Sequence, residues 1–176
     1  MTGAARSTGT AVRAMRWWDI DGGVLALERE LFGADSWSPE LFWSELADPV
    51  SRRYVVAESG RDLAGYGGVS VQSDEAYIQT IAVAPAYQRR GIGRTLLADL
   101  LTTARLRGAM TAGLEVRADN APAQLLYARF GFEPVGIRRG YYQPSNVDAV
   151  VMFVEGVGAA SYEQLLERSR GPADGR

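Results

Sequence analysis

The sequence predicts a mixed α+β domain of the α/β class, with a twisted central sheet of about seven strands and helices on both faces. Three observations predict it. The apolar pattern alternates along the chain between a period of two and a period near 3.6. The elements so marked run β-α-α-β-β-β-α-β-α-β-β, and residues 91–137, strand included, read as the kind of helix crossover that permits parallel pairing. The third is size: 176 residues, 47% apolar and 23% charged, suit one globular domain.

Residues 1–10 are small and polar with no apolar run behind them, which reads as a disordered start rather than a signal peptide. Residues 11–16 alternate as a first strand. Asp19 or Asp21 is the expected cap of a helix carrying Val24, Leu25, Leu27, Leu31 and Phe32 at helical spacing. Ser38 as N-cap and Pro39 at the first helical position open a second helix with Leu41, Phe42 and Leu46. Residues 54–58 and 63–71 form a hairpin about Ser59-Gly60-Arg61-Asp62, and residues 76–83 a further strand. The longest helix spans 91–107, with Ile92, Leu96, Leu97, Leu100 and Leu101 on one stripe and Gly108 as its stop. Residues 111–117 read as a strand, 120–130 as a helix, and 134–138 and 149–154 as the last strands. The domain is thus expected over 11–154. Residues 155–176 form a tail with a short helix near 161–168 and a frayed Gly-Pro end. No stretch approaches the roughly 18 apolar residues of a spanning helix, and the expected location is the cytoplasm.

Absent residue types narrow the chemistry. The chain has no Cys and no His, which excludes disulfides, thiol nucleophiles, imidazole bases and thiolate or imidazole metal ligands; no metal is expected. All 19 basic residues are Arg, so neither a Schiff-base lysine nor a P-loop lysine exists. Proton transfers fall to Asp, Glu, Tyr, water or the substrate. The net charge of −2 gives no general drive toward nucleic acid.

The most informative stretch runs from Ile81-Ala82-Val83 through Gln88-Arg89-Arg90-Gly91-Ile92-Gly93-Arg94. A strand enters a loop with two Arg and two Gly, then a long helix. The first turn of a helix leaves N–H groups unpaired at the positive end of its dipole, and Gly91 and Gly93 carry no Cβ to keep a phosphate away. A diphosphate suits such a cradle; a tight turn with solvated arginines is the plainer alternative. In the strand 111–117, Leu114 and Val116 face one way, Glu115 and Arg117 the other. The pair reads either as a solvated charge pair or as chemistry. Tyr127, with Ala123, Leu126 and Phe130 at helical offsets, reads on spacing as a core aromatic. Asn120 is a convincing helix start.

Gln88-Arg89-Arg90-Gly91-Ile92-Gly93 resembles the Gln/Arg-x-x-Gly-x-Gly/Ala signature of the GCN5-related N-acetyltransferase (GNAT) superfamily, and the resemblance extends over most of residues 11–154. Leu114-Glu115-Val116-Arg117-Ala118-Asp119-Asn120, Leu126-Tyr127, Gly131-Phe132 and Arg138-Arg139-Gly140-Tyr141-Tyr142 are similar to its RimI branch, the ribosomal-protein-alanine N-acetyltransferases. The resemblance implies the GNAT fold and acetyl-CoA as co-substrate. Main-chain groups of Ile81, Ala82 and Val83 would hold the pantetheine arm and acetyl carbonyl. Arg89, Arg90, Gly91, Ile92, Gly93 and Arg94 would take the diphosphate, and Asn120 would also touch the cofactor. It further implies Glu115 as proton acceptor and Tyr127 as proton donor to the leaving thiolate. Without Cys, direct attack in a ternary complex is the simplest route. Trp37, beside Ser38, and Tyr141 and Tyr142 would lie near the peptide site. Phe42 is expected in the core, and Trp43 is a further aromatic candidate. The acceptor implied is the N-terminal alanine of the eighteenth small-subunit ribosomal protein, with no direct nucleic-acid or membrane contact. The residues alone leave open a lysine side chain, a small amine, aminoacyl-tRNA, or a non-catalytic acetyl-CoA-binding module.

Overall fold

The computed structural model describes residues 9–170. The expected disordered start therefore falls largely outside the described residues, as does the Gly-Pro end at 171–176. The order is β1 (Thr10–Ala14), α1 (Trp17–Asp19), a π-helical turn (Ile20–Val24), α2 (Leu25–Phe32), α3 (Pro39–Leu46), β2 (Arg52–Ser59), β3 (Asp62–Gln72), β4 (Glu75–Val83), α4 (Ile92–Leu106), β5 (Thr111–Arg117), α5 (Ala121–Arg129), β6 (Glu133–Tyr142), β7 (Val147–Glu155) and α6 (Ala160–Arg170). No described helix is long and apolar enough to cross a membrane.

Local chemistry explains most boundaries. Ser38 accepts the Leu41 N–H at 3.3 Å with Pro39 next in line, as the spacing predicts. The expected Asp19 or Asp21 cap is corrected: α1 starts before both, with Arg16 at the N-cap. Asp19 works from inside the first turn, accepting the Arg16 N–H at 2.7 Å while the Arg13 guanidinium grips its other oxygen at 2.8 Å. Thr10, assigned to the disordered start, already belongs to β1. The strand expected at 134–138 continues to Tyr142, and the tail helix is longer than its pattern and buries Tyr162 and Leu166.

The central strands of the sheet bury both faces. On β2, Val55 and Ala57 point toward α4, whose Leu96, Leu97, Leu100 and Leu101 are fully buried; Tyr54 and Val56 point to the opposite layer with Ile20, Val24, Leu27 and Phe42. Burying each such side chain stabilises by roughly 1.5–3 kcal/mol, so packing holds α4 more than helix propensity does.

Strand order is β1-β2-β3-β4-β5-β7-β6. Among the described residues, the one crossover that yields neighbouring parallel strands is α4, between β4 and β5. The crossover through α5 does not: β7 inserts between β5 and β6, pairing antiparallel with both. The β4–β5 ladder is short. Glu75, Ala76 and Tyr77 pair with Thr111, Ala112 and Gly113, and there it ends. β4 continues along β3 as far as Gly65↔Val83, with a register shift between Gly68 and Val69, and β5 continues along β7 as far as Arg117↔Ala149. From Ile78 onward the facing edges of β4 and β5 diverge.

Candidate active site

The divergence opens a cleft of about 390 Å³ through the sheet. Ile78–Ile81 of β4 line one wall and Glu115–Arg117 of β5 the other. Strand edges with unpaired N–H and C=O groups are a template for an extended ligand that pairs with main chain.

At the far end of β4 stands the charged loop. Arg89 has φ +64° and Gly91 φ +83°, so the chain turns twice through left-handed conformations before α4 begins. The first helical bond runs from the Thr95 N–H to the Gly91 carbonyl at 3.0 Å. Among the described residues the N–H groups of Ile92, Gly93 and Arg94 have no main-chain acceptor, and no side chain caps the helix. Arg94 folds over Gly91, where a Cβ would lie 2.9 Å from its guanidinium. Gly93 answers to a different demand from the one its motif suggests, because a Cβ there would crowd Leu126 at 3.2 Å. Among the described residues Arg89, Arg90 and Arg94 have no ion-pair partner. Orphan N–H donors and guanidiniums without a counter-charge at the positive end of a helix dipole fit a diphosphate.

The cleft also gathers Glu115, Tyr127, Asn120, Ile81, Trp37, Tyr141 and Tyr142 from five separate segments. Arg89–Arg94, Ala82 and Val83 lie outside it; Ala82 is buried against the α2–α3 layer. Leu114 and Val116 enter the α4 core, which turns Glu115 and Arg117 to the opposite face as alternation requires. That face is not solvated: the Glu115 side chain is 6% exposed. Burial pushes its pKa up, and Arg138, with Nε 3.3 Å from Oε1, pulls it down. Tyr127 has its ring in the core, edge-on to Phe132 at 6.0 Å, and its tip at the cleft. Burial raises its pKa to about 12, so the hydroxyl keeps its proton at neutral pH. Tyr142 donates to the Glu115 carbonyl at 3.4 Å. Asn120 caps α5 by accepting the Ala123 N–H at 3.1 Å.

Phe42 is wholly buried and Trp43 is exposed on α3 away from the cleft, which removes it from the acceptor candidates. Two acids escaped the sequence reading. Asp35 accepts from Arg117 at 2.8 Å and from the Ser145 N–H at 3.0 Å, tying the loop before Trp37 to the β6–β7 hairpin across the cleft. Its sequence neighbours carry no signal for this. Glu28 also lines the cleft, and its signal was legible: it interrupts the apolar stripe of α2 between Leu25 and Leu31.

A ligand that suits both ends carries phosphates at one end and, along an extended hydrogen-bonding arm, an acyl group that reaches a carboxylate and a phenol. The class so defined is a coenzyme A-dependent acyltransferase. Comparison with known proteins agrees. The pattern of the Acetyltransferase (GNAT) family matches residues 15–132. The N-alpha-acetyltransferase RimI of Mycobacterium tuberculosis is 49% identical over 131 residues, covering 72% of this chain and 80% of the relative. The crystal structure of the ribosomal-protein-S18-alanine N-acetyltransferase from Escherichia coli superposes with a TM-score of 0.74 at 32% identity, covering 84% of this chain and 94% of that one. The Salmonella typhimurium protein yncA, solved with its cofactor acetyl-CoA, shares the fold at a TM-score of 0.68 and 20% identity, over 84% of this chain and 94% of its own. The chain belongs to the GNAT acetyltransferase family, in its RimI-like branch, and is an acetyl-CoA-dependent N-acetyltransferase.

Proposed function

We propose that this enzyme acetylates the α-amino group of a protein N-terminus, with the terminal alanine of ribosomal protein bS18 as its favoured acceptor. The observation that carries the reading is the similarity to RimI relatives over most of the chain, joined to a cleft whose acceptor side is walled by Trp37, Tyr141 and Tyr142. Such aromatic walls suit the small first residue of an extended peptide.

Acetyl-CoA supplies the activated acyl group. The phosphate end belongs to the N–H groups of Ile92–Arg94 with Arg89, Arg90 and Arg94, and the free edge of β4 from Ile81 to Val83 aligns the arm. Asn120 adds a contact from the opposite wall. Glu115 accepts the proton that the α-ammonium must shed before it can attack, directly or through one water, and the second proton, lost as the N–C bond forms, replaces the one that Tyr127 gives up. Tyr127 donates its hydroxyl proton to the sulfur as the C–S bond breaks. An α-ammonium has a pKa of roughly 8, so a carboxylate raised by burial is a sufficient base.

The test is thiol release with three acceptors: a peptide of the bS18 N-terminus, the same peptide blocked at its α-amino group but bearing a lysine, and a polyamine. Turnover confined to the free N-terminus is expected. Turnover on the blocked peptide or the polyamine, with none on the free one, would overturn the reading. In cells lacking the enzyme, mass spectrometry of ribosomal proteins should find bS18 unacetylated.

A further inference from the structure

The carboxylates in and around this fold's core are almost all paired with arginine. Asp19 holds Arg13, Glu45 holds Arg52, Asp35 holds Arg117 and Glu115 holds Arg138. Glu28 is the exception. It is 2% exposed, and its two oxygens accept from neutral donors, the Trp37 N–H at 2.8 Å and the Tyr66 hydroxyl. Among the described residues no guanidinium lies within ion-pair distance of it. A carboxylate buried without a counter-charge is costly, and burial pushes its pKa up against the pull of both donors.

Glu28 also lines the cleft that holds Glu115 and Tyr127. It stands on α2, fixed by the main chain of Trp37, one of the aromatics expected to flank the acceptor. An N-terminal α-amino group arrives mostly protonated at neutral pH, since its pKa is roughly 8. A cation entering a partly dry cleft needs an anion that is not already neutralised. Glu115 and Asp35 each have an arginine; Glu28 has room on both oxygens, as a carboxylate offers about four acceptor sites and two are used.

We infer that Glu28 is the counter-charge that receives the acceptor's α-ammonium and holds it in the cleft before Glu115 takes its proton. The carboxylate that no described arginine of the chain pairs is thereby paired in the complex. The inference rests on the reading of the acceptor as an α-amine, and it assigns Glu28 to acceptor binding rather than to proton transfer.

Calorimetry on enzyme saturated with coenzyme A tests it, using a peptide with a free N-terminal alanine and its des-amino twin, in which propanoyl replaces alanyl. Wild-type enzyme is expected to favour the amine by about 10-fold or more, the range of a hydrogen bond to a charged group. In Glu28→Gln the preference should shrink to within about twofold while des-amino affinity is unchanged; in Glu115→Gln it should persist. A preference that survives Glu28→Gln, or that disappears only in Glu115→Gln, overturns the inference while leaving the acceptor reading intact. Binding of neither peptide by wild type removes the acceptor reading itself. Should Glu28→Gln not fold, Glu28→Asp keeps the charge but withdraws it by one methylene, and is expected to lose at least about threefold of the preference; full retention counts against the inference.

Discussion

Removing one oxygen from Tyr127 separates its two roles. Tyr127→Phe keeps the ring in the core against Phe132, and among the described residues the hydroxyl has no protein hydrogen-bond partner to lose. The expected stability change is about 1 kcal/mol or less. Catalysis should respond differently. A hydroxyl donating to developing negative charge contributes about 1.5–3 kcal/mol, or roughly 10- to 150-fold, and full general-acid catalysis about 10²- to 10⁴-fold. Burial raises the phenol to about 12, which weakens it as an acid, although the same dry surroundings raise the basicity of a departing thiolate. The two effects place the loss in kcat near the lower end, about 10²-fold. Stopped-flow thiol release at saturating substrates reads kcat, and calorimetry with coenzyme A should give an affinity within about twofold of wild type. A kcat unchanged within threefold would return Tyr127 to the core. So would an equal loss of kcat and coenzyme A affinity, since it would report a displaced α5 rather than a lost proton.

The remaining predictions concern other parts of the molecule. Glu115 must be ionised to act, and Arg138 lowers its pKa; Arg138→Leu should therefore move the acid limb of the rate–pH profile upward, and a limb that stays put or moves down would contradict the pairing. Gly91→Ala places a Cβ at φ +83° against Arg94, so coenzyme A affinity should fall about 10-fold and stability by about 1 kcal/mol, measured by calorimetry and thermal melting. Asp19→Ala should destabilise by about 1–2 kcal/mol in urea melts. The folded Asp19 pKa is lowered, chiefly by Arg13, so the wild-type margin over that variant is full above the unfolded value near ~3.9 and fades as pH falls through the folded one.

Much of this arrangement is legible in the sequence. Ser38-Pro39 and Asn120 cap helices because short polar side chains at those places have a local use for their oxygens, and the alternation in 111–117 turned Glu115 away from Leu114 and Val116. What escaped depends on meetings between distant segments. Asp35 and Ser145 are 110 residues apart, and nothing local tells either of the other. Asp19 missed its expected cap because Arg13, on the preceding strand, and the Arg16 N–H draw its carboxylate into the first turn. Whether Glu115 is solvated or buried depends on the divergence of β4 and β5, where β4 keeps to β3 and β5 to β7, partners that neither strand's own pattern names.

Three paired positions between β4 and β5 are a thin seam to run through the middle of a sheet. Anything that lies along the seam completes the tertiary structure as well as the reaction, and an occupant at a hundredfold excess over its Kd adds about 2.7 kcal/mol to folding. Resistance to proteases should then rise with the concentration of coenzyme A, free or acylated, and limited proteolysis with and without that ligand reads the gain.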